Sequence, residues 1–314
     1  MVLPAELTSL HEASSLPPRP LHLAIGIFDG VHLGHRAVVE SAIRAARAGE
    51  GISGVLTFWP HPSALFRPED PTRMMQDART KSRMLISLGV DVVITETFTR
   101  ELAAVPAAEF LPWLRQFLPR LAAVYVGENF RFGNERRGDV ALLAASGRGR
   151  GVNVISASPV SHAGQPISST RIRAQLAAGE IESANALLGY SYFSEGTVVP
   201  GKRLGRTIGF PTLNVLWAPE FKPRYGVYAV RVAKAGTETA LPAVANYGVR
   251  PTVEDTDEPR LEIHVLGECT LTEGDRVRVE WLHFLRPEMK LANLEELRMQ
   301  IGRDRAAAAE FFGV

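Results

Sequence analysis

The stretch Leu21–Ala48 reads LHLAIGIFDGVHLGHRAVVESAIRAARA and contains one complete folding unit. Leu21–Phe28 is a short apolar run suited to a buried strand, Asp29–His35 is a glycine-punctuated turn, and Arg36–Ala48 carries apolar residues at helical spacing. The pattern recurs downstream. A strand at Gly54–Phe58 ends in WPHP and is followed by a helix near Thr80–Leu88, a strand at Val90–Thr95, a helix at Ala107–Phe117 and a strand at Ala122–Val126. A last strand at Val152–Ser156 and helices at Thr170–Ala178 and Ile181–Leu188 close this half. Such alternation predicts a parallel sheet covered by helices.

From Ser191 the texture changes to closely spaced strands without helices between them: Tyr192–Val199, Tyr225–Val232, Ala240–Asn246, Arg260–Val265 and Arg276–Phe284. These predict a small antiparallel barrel or sandwich, with one helix, Leu294–Ile301, at the C-terminus. A boundary near Leu188–Tyr190 follows. It agrees with the length of 314 residues, which suits two domains that each bury a core.

Hydrophobic residues at 46% and charged residues at 22% describe an ordinary globular chain. With 35 Lys+Arg against 34 Asp+Glu, nothing global recruits nucleic acid or an anionic membrane, so any anion site is local. A single cysteine, Cys269, excludes an internal disulfide framework and a cysteine-rich zinc site. The first twenty residues, with early acids and scattered prolines, do not read as a signal peptide, and no apolar run approaches the roughly 20 residues of a membrane-spanning helix. The expectation is a soluble, cytoplasmic protein.

Within the opening stretch, Gly26, Gly30 and Gly34 let backbone approach a ligand, and the following helix N-terminus attracts phosphate. His32 and His35 add two imidazoles that can donate to charge developing on an attacked phosphate; the alternative is a capping His32 and a packed His35. Further on, ISSTRIR (Ile167–Arg173) sets the hydroxyls of Ser169 and Thr170 at a helix start near Arg171 and Arg173, as phosphate ligands or as a simple cap. NFRFG offers Asn129 as a polar contact, with Phe130 and Phe132 as core or as a wall for a flat ring. In WPHP, Pro60 and Pro62 fix the backbone on both sides of His61.

In the second half, GKRLGRTIGFPTLN (Gly201–Asn214) brings Lys202, Arg203 and Arg206 into a glycine-rich segment that lacks the P-loop pattern. Its Thr212 and Asn214 share one face if extended, where their oxygens suit a hard cation such as Mg²⁺. RLEIHVL puts Glu262 and His264 on one strand face and Leu261, Ile263 and Val265 on the other. A carboxylate placed there can serve as general base toward a hydroxyl, or be merely solvated.

GIFDGVHLGH, with TFWPHP at Thr57–Pro62, GENFRFG at Gly127–Gly133, RRGD at Arg136–Asp139 and ISSTRIR, resembles the nucleotidylyltransferase half of bacterial bifunctional riboflavin kinase/FMN adenylyltransferases. GRTIGFPTLN, VANYGVRPT, LEIHVL and LHFLRPEMKL resemble the kinase half. The resemblance covers nearly the whole chain. It implies an α/β Rossmann-like nucleotidylyltransferase domain over residues 1–188, then an antiparallel β-barrel riboflavin kinase domain with a C-terminal helix over 189–314. The partners implied are ATP with Mg²⁺, riboflavin, FMN and FAD. In the first site it implies catalytic roles for His32 and His35, ATP contacts at Gly26, Phe28, Asp29, Gly30, Asn129, Ser169, Thr170 and Arg173, and flavin contacts at Pro60, His61, Pro62 and Phe130. In the second it implies Glu262 as base, Thr212 and Asn214 at the metal, Lys202 and Gly209 at ATP, and Arg286 near the flavin.

The chain departs from the family pattern at Ile27, at Gly267-Glu268, at Thr272-Glu273-Gly274 and at Leu291. Those departures leave open an FMN adenylyltransferase with an impaired kinase half. A non-catalytic flavin-binding regulator would have lost catalytic positions, yet the residues named above are all present. Oligomeric state is not legible in the sequence.

Overall fold

The computed structural model describes residues 6–201, 209–237, 239–249 and 259–314. By packing, the chain divides into Met1–Ser169 and Thr170–Val314. The first unit holds a parallel sheet of β1 (Glu6–Leu7), β2 (Leu21–Ile25), β3 (Ile52–Trp59), β4 (Val92–Thr97), β5 (Leu121–Gly127) and β6 (Asn153–Ala157), in the order β1-β4-β3-β2-β5-β6. Its helices are α1 (Leu33–Ala48), α2 (Ser63–Phe66), α3 (Ala78–Ser87), α4 (Arg100–Ala103), α5 (Phe110–Phe117) and α6 (Val140–Arg148). The two-residue strands β7 (Ser161–His162) and β8 (Gln165–Pro166) pair as a hairpin.

Strand periodicity explains why both sheet faces are dry. Leu23, Ile25, Leu56, Ile94 and Val124 enter one apolar cluster, while the intervening Ala24, Val55, Val93, Ala123 and Tyr125 enter the other. Helix α1 covers the second cluster with Val38, Val39, Ala42 and Ile43. Strand order reverses at the β2/β5 neighbours, because β3 and β4 lie to one side of β2 while β5 and β6 lie to the other. Open parallel sheets bind ligands beyond the strand C-termini at such a switch point. The loops beginning at Gly26 and Glu128 therefore emerge where a site belongs.

The second unit opens with α7 (Ser169–Ala178, entered after its first residue) and α8 (Ile181–Leu188). A closed barrel follows, made of β9 (Phe193–Val199), β10 (Leu213–Leu216), β11 (Gly226–Lys234), β12 (Ala240–Gly248), β13 (Arg260–Val265) and β14 (Arg276–Pro287). Closure comes from β10, which pairs with both β13 and β9, and this selects a barrel over a sandwich. The interior is aromatic: Trp281, Tyr228, Tyr192 and Tyr247 are fully buried, and the Trp281 ring lies 4.6 Å from Tyr228 and 5.5 Å from Tyr247.

Packing divides the chain after Ser169, earlier than the change of sequence texture at 188. The reason is visible in α8, whose Asn185 donates to Trp281 O at 2.9 Å and accepts from Tyr192 N at 2.7 Å. Helix α9 (Leu294–Phe312) runs beyond the expected Ile301, continued by the alanine run. It is tied to the barrel by a bidentate pair, Arg286 Nε and Nη2 each 2.7 Å from the Asp304 carboxylate.

Trp281 also donates Nε1–H to Ser194 Oγ at 3.1 Å, so truncation opens a cavity and orphans a buried hydroxyl. Trp281→Ala is expected to cost about 3–5 kcal/mol of barrel stability, measured by urea unfolding with far-UV circular dichroism; a loss below about 1 kcal/mol would contradict this account.

Candidate functional site

The loop leaving β2 is held in a conformation few sequences tolerate. Gly30 sits at φ +82°, which a residue without Cβ adopts freely, but Phe28 at +53° and Val31 at +38° also occupy the left-handed region. Their side chains are buried, and that packing holds the backbone in place. Asp29, buried, accepts from Met75 N–H at 2.9 Å, and the Ser169 hydroxyl donates to Asp29 O at 2.9 Å. Gly26 N–H donates to Leu56 O, and Gly30 N–H to Gln76 Oε1 at 3.0 Å. These two glycine amides are thus committed within the protein, and the donor capacity expected of the loop passes to the start of α1 and the imidazoles.

His32 is the N-cap of α1, its Nδ1 accepting from His35 N–H at 3.3 Å. The two rings stack with centroids 3.5 Å apart and planes 17° apart, and Phe28 meets His35 edge-on at 5.3 Å. Burial lowers the His32 pKa to about 4. His35 is pushed well below its ordinary value, first by burial and then by His32 and Lys81. Both imidazoles are neutral near pH 7. Because His32 Nδ1 accepts, its proton resides on Nε2, leaving one fixed donor. Capping and chemistry are compatible in the same ring.

Beyond β3, the Trp59–Pro60 peptide is cis. His61 Nδ1 accepts from Ser63 N–H at 3.1 Å and contacts Ser63 Oγ at 2.8 Å, while that oxygen accepts from Thr72 N–H at 2.7 Å. Pro62 stands at the start of α2. After β5, Asn129 is exposed and Phe130 stacks on buried Phe132 at 5.5 Å. Phe132 pairs with Gly138 through two backbone hydrogen bonds, and Asp139 of RRGD caps α6 by accepting from Leu142 N–H. Ser169 is the first residue of α7; Thr170 and Arg173 follow on that helix, across the division into units.

In the barrel, β13 alternates as expected, with Leu261, Ile263 and Val265 buried and Glu262 and His264 on the other face. Register sets Glu262 opposite Asn214 of β10 on one side and Asn246 of β12 on the other. His264 Nδ1 lies 2.8 Å from Pro211 O, which pins the approach to β10 along β13. Thr212 is exposed just before β10. An added Cβ at Gly201 would stand 2.0 Å from Asn214 Nδ2, so only glycine leaves that amide its place. Gly209 is exposed at φ +87°, Arg286 is engaged by Asp304, and Lys202 lies outside the described residues.

Sequence reasoning missed Gln76, Asn246 and the fully buried Lys81. Asn246 needed cross-strand register. Gln76 and Lys81 sit in unremarkable polar stretches, and only the tertiary fold sets them against the β2 loop.

A FAD synthetase family model matches residues 16–171, and a riboflavin kinase family model matches 188–312. A protein of Escherichia coli (strain K12) named bifunctional riboflavin kinase/FMN adenylyltransferase is 39% identical over 308 residues, covering 98% of each chain. One of the same name from Listeria monocytogenes is 34% identical over 294 residues, covering 92% of each. A solved chain from Streptococcus pneumoniae, described as a macrolide-efflux protein, superposes with a TM-score of 0.85 at 26% identity over 97% of this chain and 99% of its own. Among the described residues here, no helix is long and apolar enough to cross a membrane.

Proposed function

We propose how two sites divide the work in this chain, which belongs to the bifunctional riboflavin kinase/FMN adenylyltransferase family. It is an ATP-dependent transferase with both activities, and riboflavin, FMN and FAD are its substrates and products. The first unit adenylylates FMN. An FMN phosphate oxygen attacks the α-phosphorus of ATP, the bond to the bridging oxygen breaks, and pyrophosphate leaves with the electron pair; no enzyme nucleophile is needed. Neutral His32 and His35 donate to the charge growing on the phosphates. Ser169, Thr170, Arg173 and Asn129 hold the nucleotide, with Gly26, Phe28, Asp29 and Gly30 shaping the loop beneath it. Pro60, His61, Pro62 and Phe130 form the flavin side.

In the barrel, Glu262 takes the proton from the riboflavin 5′-hydroxyl as its oxygen attacks the γ-phosphorus and ADP leaves. Lys202 and Gly209 belong to the nucleotide side and Arg286 to the flavin side. Thr212 and Asn214 fit Mg²⁺: they are neutral oxygen donors, Asn214 opposite Glu262 in the β10–β13 register and Thr212 just before that strand, a donor set suited to an ion that arrives on substrate phosphates. When bound, the ion neutralises phosphate charge. Dependence of both reactions on ATP fits a cytoplasmic setting.

The observation that carries the first assignment is the stacked imidazole pair, His32 buried and His35 half-buried, beside the sheet's switch point. For the second it is the Asn214–Glu262 register. The second is tested by titrating Mg²⁺ into FMN formation by wild type and Gly201→Ala. Displacing Asn214 is expected to lower the rate on the order of 10²-fold and to raise the Mg²⁺ requirement, with FAD formation from supplied FMN unchanged. An unaltered Mg²⁺ requirement would remove Asn214 from the metal site.

A further inference from the structure

Lys81 of α3 is the one charged side chain among the described residues with no exposed surface at all. Its ammonium satisfies all three donors: Ile27 O at 3.0 Å, Thr57 Oγ1 at 2.9 Å and Phe58 O at 3.2 Å. Thr57 Oγ1 in turn donates to Ile27 O at 3.0 Å, and the Trp59 ring centroid is 5.9 Å from Nζ. The contacts therefore join two segments that leave the sheet side by side. Ile27 immediately precedes the left-handed Phe28–Val31 loop with Asp29 and the imidazoles, and Phe58 precedes Trp59–Pro62.

We propose that Lys81 is a positioning residue for adenylyl transfer, a buried cation that fixes the spacing between the nucleotide-side loop after β2 and the flavin-side turn after β3. The proposal rests on the assignment of the first site given above. A structural tie alone would not need a full charge, since removing an ammonium from water is unfavourable and an uncharged donor could bridge the same carbonyls. The charge has two neighbours on which to act. Asp29 of the loop is attracted to it, and protonation of His35 on α1, with His32 stacked against it, is opposed by it. From β3 the facing groups, Thr57, Phe58 and Trp59, are uncharged. Lys81 thus adds to the burial that keeps His35 neutral while holding the loop before α1.

Burial brings the Lys81 pKa down to about 8, with Asp29 partly opposing that fall. The sign of the consequence separates positioning from simple stability. Above pH 8 the folded chain gives up a proton that the unfolded chain retains to about 10.4, so this group makes folding more favourable as pH rises. If its charge aligns the site, FAD formation falls over the same range. Activity and stability then move in opposite directions, which a merely structural lysine does not produce.

The test uses the full chain as wild type, K81M and K81Q. It follows FAD formed from FMN and ATP between about pH 6.5 and about 9.5, with FMN formed from riboflavin as the internal reference and thermal unfolding in parallel. Wild-type kcat/KM is expected to fall about tenfold per pH unit above about pH 8. K81M is expected to lose on the order of 10²-fold at neutral pH, to show no alkaline fall and to keep the kinase rate. K81Q keeps an uncharged donor for the carbonyls and guards against a variant that fails to fold; it is expected to lose the alkaline fall as well. A wild type with no alkaline fall, or a folded K81Q with wild-type kcat/KM and profile, overturns the proposal while leaving the site assignment intact. A wild type that makes no FAD at any pH removes that assignment and the proposal with it.

Discussion

Replacing both His32 and His35 with alanine is expected to lower FAD formation from FMN on the order of 10³-fold, while FMN formation from riboflavin by the same preparation stays within about twofold. The loss should fall on kcat more than on KM. The imidazoles meet charge that grows on the phosphates during transfer, and donors of that kind stabilise the transition state more than the ground state. Product chromatography with each flavin supplied separately reads both reactions at once. The same pair makes a prediction for stability. His32 has its pKa lowered to about 4 and His35 lies well below its ordinary value, both chiefly through burial. Below about pH 6.5 the unfolded chain takes up protons that the folded chain refuses. Stability contributed by keeping the rings neutral is therefore present above that pH and is lost as pH falls toward 4. In the double variant, the unfolding midpoint of the first unit should depend less on pH across that window. An equal acid sensitivity in both proteins would show that the pair is not the titrating group.

The parallel sheet was legible because its strands are apolar on both faces: Leu23 and Ala24, or Val55 and Leu56, give continuous runs that only a doubly covered sheet accommodates. Glu262 was legible for the opposite reason, since strict alternation with Leu261 and Ile263 can be read without any knowledge of neighbours. What stayed hidden depends on contacts between distant segments. Gln76 reaches Gly30 N–H across 46 residues and Lys81 reaches Ile27 O across 54, and neither carries a local pattern of its own. The two committed amides matter most here, because a glycine loop invites a phosphate reading that ignores donors already in use. Arg286 also has a partner hidden from the sequence: the resemblance implies a place near the flavin, and its guanidinium fork is matched to Asp304 eighteen residues away, which ties α9 to the barrel. Packing and texture mark the boundary differently: α8 reads as part of the helical half yet bonds to Trp281 of the barrel, while the riboflavin kinase match begins at 188.

Glu262→Gln is expected to reduce FMN formation on the order of 10²- to 10⁴-fold and to leave FAD formation from supplied FMN intact. The substitution is nearly isosteric and keeps an oxygen acceptor between Asn214 and Asn246, so the β10–β13–β12 register should persist and riboflavin should bind as before. What disappears is the capacity to accept the hydroxyl proton. Its effect therefore belongs to kcat, with KM for riboflavin little changed. Glu262→Ala removes the acceptor and the packing together, and so provides the contrast: the same loss of kcat accompanied by a higher KM. His264 shares the strand face, but its Nδ1 is engaged with Pro211 O and it follows Glu262 by two residues along the strand, so it does not replace the carboxylate. Steady-state FMN production with each variant decides the matter. If Glu262→Gln retained wild-type kcat, the carboxylate would be a solvated strand residue, and the proton would have to leave the 5′-hydroxyl by another route, such as transfer to the γ-phosphate itself.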